Sequence, residues 1–335
     1  MNLEDRKKAI DEKLKDFLSN QKYEREDIAK VFKKIPNFIL RGGKRCRPAL
    51  FVEGYKIGGG NEIDECLRAS ILIELWHNSF LIYDDIMDRD NIRRGEKTLH
   101  KLFEDYFGQW TALSHAINAG EYTNTLSIRA LTESDFPPEK KYEVMEELSK
   151  AQTIVQQGQA LDLILQKKPL SEVKVSDVLD MYRLKSASYT VKAPLKSGYV
   201  LSPKSKGDIK KMEEYGENIG IAFQLKDDLL GVFGEKNEIG KPITSDLEEG
   251  KRTMPLILAY KKGSEKQKET IRSIVGGEVT KKDHKKIREI ITETGAKKES
   301  EEMAKKRVKK GKKVNEDIKS DFLDSFAEFV IKRSY

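Results

Sequence analysis

The sequence has little of what most protein classes are recognised by. Its 335 residues include two cysteines, Cys46 and Cys66, and four scattered histidines. Two cysteines cannot build a disulfide framework, and the histidines offer no zinc-ligand spacing, so a reducing cytoplasm is the expected setting. Long apolar runs are missing: residues 71–83, the most apolar stretch, contain Glu74, His77 and Asn78 and fall short of a membrane span. The opening MNLEDRKKAIDEKLKDF is charged throughout and lacks the apolar centre of a signal peptide. Neither secretion nor stable membrane insertion is expected. There is no G-x-S-x-G serine and no P-loop, since Lys241 is followed by Pro242.

Charge is abundant instead. Charged residues make up 36% of the chain and hydrophobic ones 38%, whereas a typical globular chain carries only about 25% charge. A densely charged surface around a sizeable core follows. The net +7 is uneven: residues 261–320 hold 20 Lys+Arg against 11 Asp+Glu, a local +9, leaving about −2 for the remainder. Within that region Lys305, Lys306, Arg307, Lys309, Lys310, Lys312 and Lys313 have glutamates nearby, the pattern of a solvated helix face with supporting ion pairs. Nucleic-acid binding would need aromatic or motif support that is absent, so no nucleic-acid partner is expected.

No run alternates convincingly between apolar and polar residues, whereas spacings such as Ile10, Leu14, Phe17 and Leu18 recur almost throughout. This periodicity predicts an all-α chain. Breaks at Ile35-Pro36, Gly42-Gly43, Gly58-Gly59-Gly60, Pro137-Pro138, Lys168-Pro169, Ser202-Pro203, Gly240-Lys241-Pro242 and Gly276-Gly277 divide it into a bundle of about ten or more helices. Pro194 lies inside an apolar helical pattern and predicts a kink. Residues 1–335 are read as one domain with a lysine-rich helical part from about 261 to 335.

The chemistry is concentrated in two places. In Tyr83-Asp84-Asp85-Ile86-Met87-Asp88, Asp84 and Asp88 stand one helical turn apart on one face. Like charges so placed repel, and a hard divalent cation with oxygen ligands is the natural compensation. A second pair, Asp227 and Asp228, ends the apolar run from Gly220. Two such pairs on inward faces could hold magnesium, which usually completes its octahedron with substrate phosphates. Basic clusters at Lys44-Arg45-Cys46-Arg47, Arg93-Arg94, Lys185, Lys241 and Lys251-Arg252 are suitable partners for phosphate oxygens.

In these residues the chain resembles the trans-isoprenyl diphosphate synthases of the polyprenyl synthetase family, most of all archaeal-type short-chain enzymes. The likeness runs from about Phe38 to Met254. The family's glycine-glycine-lysine-arginine signature appears as Gly42 to Arg45, followed by Arg47. Its DDxxD motif is Asp84, Asp85 and Asp88, and its arginine pair is Arg93 and Arg94. Its GQxxD element is Gly158, Gln159 and Asp162, its lysine-threonine step is Lys185 and Ser186, and its FQxxDD motif is Phe223, Gln224, Asp227 and Asp228. The resemblance implies a single large helical bundle of the isoprenoid synthase type with a central substrate cavity, and a homodimer.

The same resemblance assigns roles. Lys44, Arg47, His77 and Arg94 would grip isopentenyl diphosphate; Asp84, Asp88 and Asp227 would ligate Mg²⁺, two to three ions per site. Arg93, Lys185, Lys241 and Lys251 would hold the allylic diphosphate, with Ser186 and Gln224 along its path, and Asp85 and Asp228 would complete the catalytic set. Departures are Gly231 where many relatives carry a last aspartate, Ser186 for threonine, Tyr83 where a histidine often stands, and Glu121 for aspartate. A class I terpene cyclase would not need the Lys44, Arg47, His77 and Arg94 set, and a noncatalytic subunit would be expected to lose the aspartates. The activity implied is condensation of isopentenyl diphosphate with C5 to C15 allylic diphosphates. One isoprene unit is roughly as long as the helix pitch of about 5.4 Å, so residues upstream of Asp84 read as a ruler. Phe80 and Trp76 share a face four and eight residues back, while Ser79, at the position where the family often sets its floor with an aromatic, is small. Trp76 is then the expected floor and a C20 product the expectation, with C15 and C25 as rivals.

Overall fold

The structure, a computed structural model, describes residues 1–204, 209–234 and 243–332; Lys241 lies outside the described residues. Contacts divide the chain into two compact units, residues 1–147 with 194–207 and residues 148–193 with 208–335.

The first unit begins with α1 (Leu3–Ser19), α2 (Glu26–Phe32), α3 (Lys34–Leu40), α4 (Cys46–Ile57) and α5 (Ile63–Met87). A hairpin of β1 (Ile92–Arg93) and β2 (Glu96–Lys97) follows, then α6 (Leu99–Phe107), α7 (Gln109–Thr132) and α8 (Pro138–Lys167), which runs on into the second unit. The described elements are otherwise helical, as expected of an all-α chain, and the hairpin escapes sequence reading because two-residue strands leave no alternation to detect. Helix α5 is the spine: every residue from Ala69 to Ser79 is buried, as a helix apolar on all sides must be, and α7, α4 and α1 pack around it. Arg6 docks α1 onto α4 through the Ala49 carbonyl at 2.8 Å and the Glu53 carboxylate. The break expected at Ile35-Pro36 falls earlier, before Lys34. Pro36 sits in the first turn of α3, and Pro138 likewise opens α8, where a missing N–H is tolerated.

In the second unit a 3-10 turn (Leu170–Glu172) and α9 (Val175–Met181) lead into a π-helix, Tyr182–Lys192. It continues as α10 (Ala193–Leu201), which from Pro194 onward belongs to the first unit. At Pro194, where the sequence predicts a kink, the helix changes type: the Ala193 N–H bonds the Ser188 carbonyl five residues back, and α geometry starts afresh. Next come α11 (Ile209–Phe233), α12 (Ser245–Glu248), α13 (Met254–Lys262), α14 (Glu265–Ile274), α15 (Lys281–Glu293), α16 (Ala296–Ile318) and α17 (Asp321–Lys332). Helix α11 is packed by both the π-helix and α16. The π-helix is approached closely on two sides: a Cβ at Gly158 of α8 would lie 2.3 Å from the Lys185 nitrogen, and one at Gly220 of α11 would lie 2.5 Å from the Ala187 Cα. Helix α16 buries Ala304, Val308, Gly311 and Asn315 and exposes Lys305, Lys306, Lys309, Lys310 and Lys313. The lysine run is therefore the outer face of an amphipathic helix. No described helix is long and apolar enough to cross a membrane.

Candidate active site

The first acidic motif closes α5. Asp88 is the C-cap, and its N–H bonds the Asp84 carbonyl at 2.8 Å, so the two carboxylates leave one side of the helix end. Both are partly exposed, whereas Asp85 is 1% exposed and accepts a hydrogen bond from Arg93 Nε. Arg93 Nη2 stands 3.5 Å from both Asp84 and Asp90. The hairpin delivers this guanidinium. Its two-residue loop, Arg94-Gly95, has φ of 54° and 78°, the doubly positive geometry that matches the strand twist. Burial disfavours the Arg93 charge, but Asp85 and Asp84 more than restore it and its pKa is raised.

Beside this end of α5 lies a group of cations in the same unit. Arg45 is structural: its guanidinium meets Asp11 at 2.7 Å, Glu74 at 2.5 Å and the Ile39 carbonyl at 3.1 Å. Arg94 is different, because burial and then the neighbouring charges of Arg45, Arg93 and Arg47, only partly offset by Glu74, pull its pKa down to about 10. Gly43, at φ of 129°, leaves room for it; a Cβ there would lie 3.2 Å from Arg94 Nη2. His77 is buried, and burial followed by the charges of Arg47, Arg94, Arg93 and Arg45 holds its pKa well below the ordinary histidine range. A neutral imidazole amid crowded guanidiniums suits an anion that would relieve the like-charge strain. Lys44, from the same signature, is exposed.

The second unit repeats the division of labour seen in the first acidic motif. Asp227 is partly exposed, while Asp228 is 4% exposed and held on both oxygens. Tyr182 Oη donates to Asp228 Oδ2, and Gln224 Nε2 donates to Oδ1 at 2.8 Å. Burial pushes the Asp228 carboxyl up to about 7 despite these donors. Ser186 Oγ donates to Gln224 Oε1 at 2.7 Å, and Lys185 Nζ lies 2.6 Å from Asp162 Oδ2. Lys251 Nζ reaches Glu249 at 2.6 Å and Asp246 at 3.7 Å. A Cβ at Gly231 would stand 2.9 Å from Asp246 Oδ2, so that carboxylate occupies the neighbourhood of the missing aspartate. Each unit thus offers partly exposed carboxylates, Asp84 and Asp88 in the first and Asp227 in the second, and oxygen ligands of this kind suit magnesium.

On α5 upstream of the acidic motif, the Trp76 and Phe80 rings are in contact, with centroids 5.0 Å apart and planes tilted by 55°. Ser79 is fully buried and its hydroxyl donates to the Trp76 carbonyl at 2.7 Å; Phe80 remains partly exposed. Sequence reading missed Tyr182, Asp246 and the part played by Asp162. Asp162 had a signal in the GQxxD spacing, but Tyr182 had none, since its partners lie 46 and 72 residues away.

Residues 27–294 match the family model described as Polyprenyl synthetase. The geranylfarnesyl diphosphate synthase of Aeropyrum pernix is 34% identical over 264 residues, 78% of this chain and 79% of its own. The geranylgeranyl diphosphate synthase of Saccharolobus solfataricus is 32% identical over 259 residues, 76% of this chain and 74% of its own. Among solved structures, geranylgeranyl pyrophosphate synthase from Corynebacterium glutamicum, complexed with isoprenyl diphosphate and magnesium, superposes with a TM-score of 0.91 at 29% identity over 100% of both chains. The synthetase from Pyrococcus horikoshii gives 0.82 at 29%, covering 99% of this chain and 97% of its own.

Proposed function

The chain belongs to the polyprenyl synthetase family and is a short-chain trans-prenyltransferase, and from that premise we propose that it condenses isopentenyl diphosphate with C5 to C15 allylic diphosphates to give C20 geranylgeranyl diphosphate. The observation that carries this reading is the crowding of Arg94 with Arg45, Arg47 and Arg93 around neutral His77, beside the helix end that presents Asp84 and Asp88. Lys44, Arg47, His77 and Arg94 hold the isopentenyl diphosphate. Arg93, Lys185, Lys241 and Lys251 hold the allylic diphosphate, with Ser186 and Gln224 beside it, while Asp84, Asp88 and Asp227 hold two to three Mg²⁺. Magnesium bound there supplies positive charge that stabilises the departing diphosphate.

The allylic C–O bond ionises, both electrons leaving with the diphosphate. The C=C of isopentenyl diphosphate then bonds the allylic carbon, and loss of a proton yields an allylic diphosphate five carbons longer. No side-chain nucleophile is required. The cationic side chains orient the two diphosphates, and a site closed to water protects the cation. The tilted contact of the Trp76 and Phe80 rings supports an aromatic floor for the growing tail. Incubating the protein with Mg²⁺, isopentenyl diphosphate and each of the C5, C10 and C15 primers, then sizing the dephosphorylated products, tests the reading. A C20 product supports it, and no elongation with any primer overturns it.

We further propose that residues 1–335 act as one catalytic domain, that the enzyme is cytoplasmic and that it is a homodimer. The domain reading rests on motif residues of one reaction being spread over both units, the location on two buried cysteines that are thiols and not a disulfide. For the dimer, Trp110, Ile117 and Ile128 are 81%, 52% and 40% exposed along one side of α7, an apolar strip of the kind that marks a protein interface. A molar mass of one chain by light scattering would refute the dimer, and Trp110→Asp is expected to dissociate it.

A further inference from the structure

A buried hydrogen-bonded chain ties three elements of the second unit together. It starts at Ser186 on the π-helix, whose hydroxyl meets the Gln224 amide on α11, and passes from Gln224 to Asp228 one turn on. From there it crosses to the Tyr182 phenol and ends at the Met254 N–H, the first of α13. That N–H donates to Tyr182 Oη at 2.7 Å and reaches Asp228 Oδ2 at 3.3 Å. The phenol thus donates to the carboxylate and accepts from the backbone, so both of its capacities are used.

Packing alone does not call for this hydroxyl. Tyr182 is 0% exposed among Leu225, Leu229 and Met254, and phenylalanine would fill that space without a polar group to satisfy. The N-cap residue of α13, Thr253, makes no side-chain cap, so the Met254 N–H depends on the phenol and the carboxylate. Asp227 and Asp228 are neighbours about 100° apart around α11. Clamping both oxygens of Asp228 fixes the rotation of that turn and leaves Asp227 on its partly exposed side.

We propose that Tyr182 is a positioning residue, acting through Asp228 to set the orientation of Asp227 and to fasten the start of α13, three residues past Lys251, to the same turn. This rests on the reading above in which Asp227 holds Mg²⁺. Outer partners of metal ligands typically change metal affinity or activity by about 10- to 100-fold when removed. Tyr182→Phe is therefore expected to raise the KM for Mg²⁺ by about tenfold and to lower kcat. The KM for isopentenyl diphosphate is expected to change less than about twofold, because the hydrogen bonds of Tyr182 and Asp228 run to Gln224 and Met254 and to none of Lys44, Arg47, His77 and Arg94.

Two further measurements isolate the mechanism. Calorimetric titration of Mg²⁺ with inorganic pyrophosphate into wild type and Tyr182→Phe reads metal affinity without turnover, and the variant is expected to bind about tenfold more weakly. In an Asp228→Asn background, Tyr182→Phe should add little, because its route to Asp227 is already altered. A wild-type Mg²⁺ dependence in both single variants, or a full Tyr182→Phe effect in the Asp228→Asn background, overturns the proposal. So does an equal rise in the Mg²⁺ and isopentenyl diphosphate KM values, which marks general loosening. Absence of prenyl transfer by wild type would refute the proposed reaction instead, and the calorimetric comparison would still decide the role of Tyr182.

Discussion

Replacing Gly158 by alanine adds one methyl group where α8 meets the π-helix. The new Cβ would lie 2.3 Å from the Lys185 nitrogen and 2.6 Å from both Leu184 C and Lys185 Cα. Carbon contacts settle at about 3.5–4.0 Å, so the two backbones must part by roughly 1 Å. Overpacking of this kind costs about 1–3 kcal/mol, and alanine's better helix propensity returns about 0.5–1 kcal/mol. The net loss of stability is therefore modest. Function is the more sensitive readout, because the displaced residue is Lys185 itself, whose ammonium is held by Asp162 one turn further along α8 at 2.6 Å. A displacement of about 1 Å can cost 100-fold in rate, so kcat/KM for the allylic diphosphate should fall by about two orders of magnitude. The KM for isopentenyl diphosphate should stay near wild type. Steady-state kinetics with each substrate varied, alongside a thermal melt, measure these quantities, with exposed Gln157→Ala as the neutral comparison. Activity of Gly158→Ala within about threefold of wild type would refute the claim that this close crossing sets the position of Lys185.

Other expectations concern the carboxylates, the cations and the tail. Asp84→Ala and Asp88→Ala should each lower turnover by at least about two orders of magnitude while metal-free melting temperatures hold or rise; near wild-type turnover in both would sink the assignment. Lys44→Ala or Arg47→Ala should chiefly raise the KM for isopentenyl diphosphate, whereas Lys185→Ala should chiefly impair the allylic substrate. Equal shifts of both KM values in all three would argue against separate phosphate pockets. Ser79→Phe should shorten products toward C15 and Trp76→Ala should extend them beyond C20, as chromatography of the dephosphorylated chains would show; unchanged lengths in both variants would remove this face of α5 from the tail pocket.

What could be read from the sequence was what is contiguous. The Asp84 and Asp88 spacing is a property of one helix, and the contact of the Trp76 and Phe80 rings follows from the same four-residue step. Arg45 and Arg47 look interchangeable in the string, yet Arg45 is consumed by Asp11 and Glu74, partners 34 and 29 residues away. Such pairings are set by how α1, α4 and α5 meet, which no local pattern encodes. Asp85 and Asp228 likewise look like equal members of their motifs until burial separates them from Asp84 and Asp227. The hairpin escaped because its loop chemistry, Arg94-Gly95, is ordinary in a basic stretch and its strands are two residues long.

The π-helix gives the chain a spare residue. Bonding from Ala193 back to Ser188 encloses one more residue than an α turn does, so a one-residue deletion between Tyr182 and Lys192 could be absorbed by tightening to α geometry, with the helix unbroken. The helix would survive and the site would not. The flanks would keep their phase, but tightening changes the angle between residues inside the segment, so Lys185 against Gly158 could no longer coexist with Ala187 against Gly220. Alignments that pass through this segment without a gap therefore test shared geometry more stringently than a count of identical residues does.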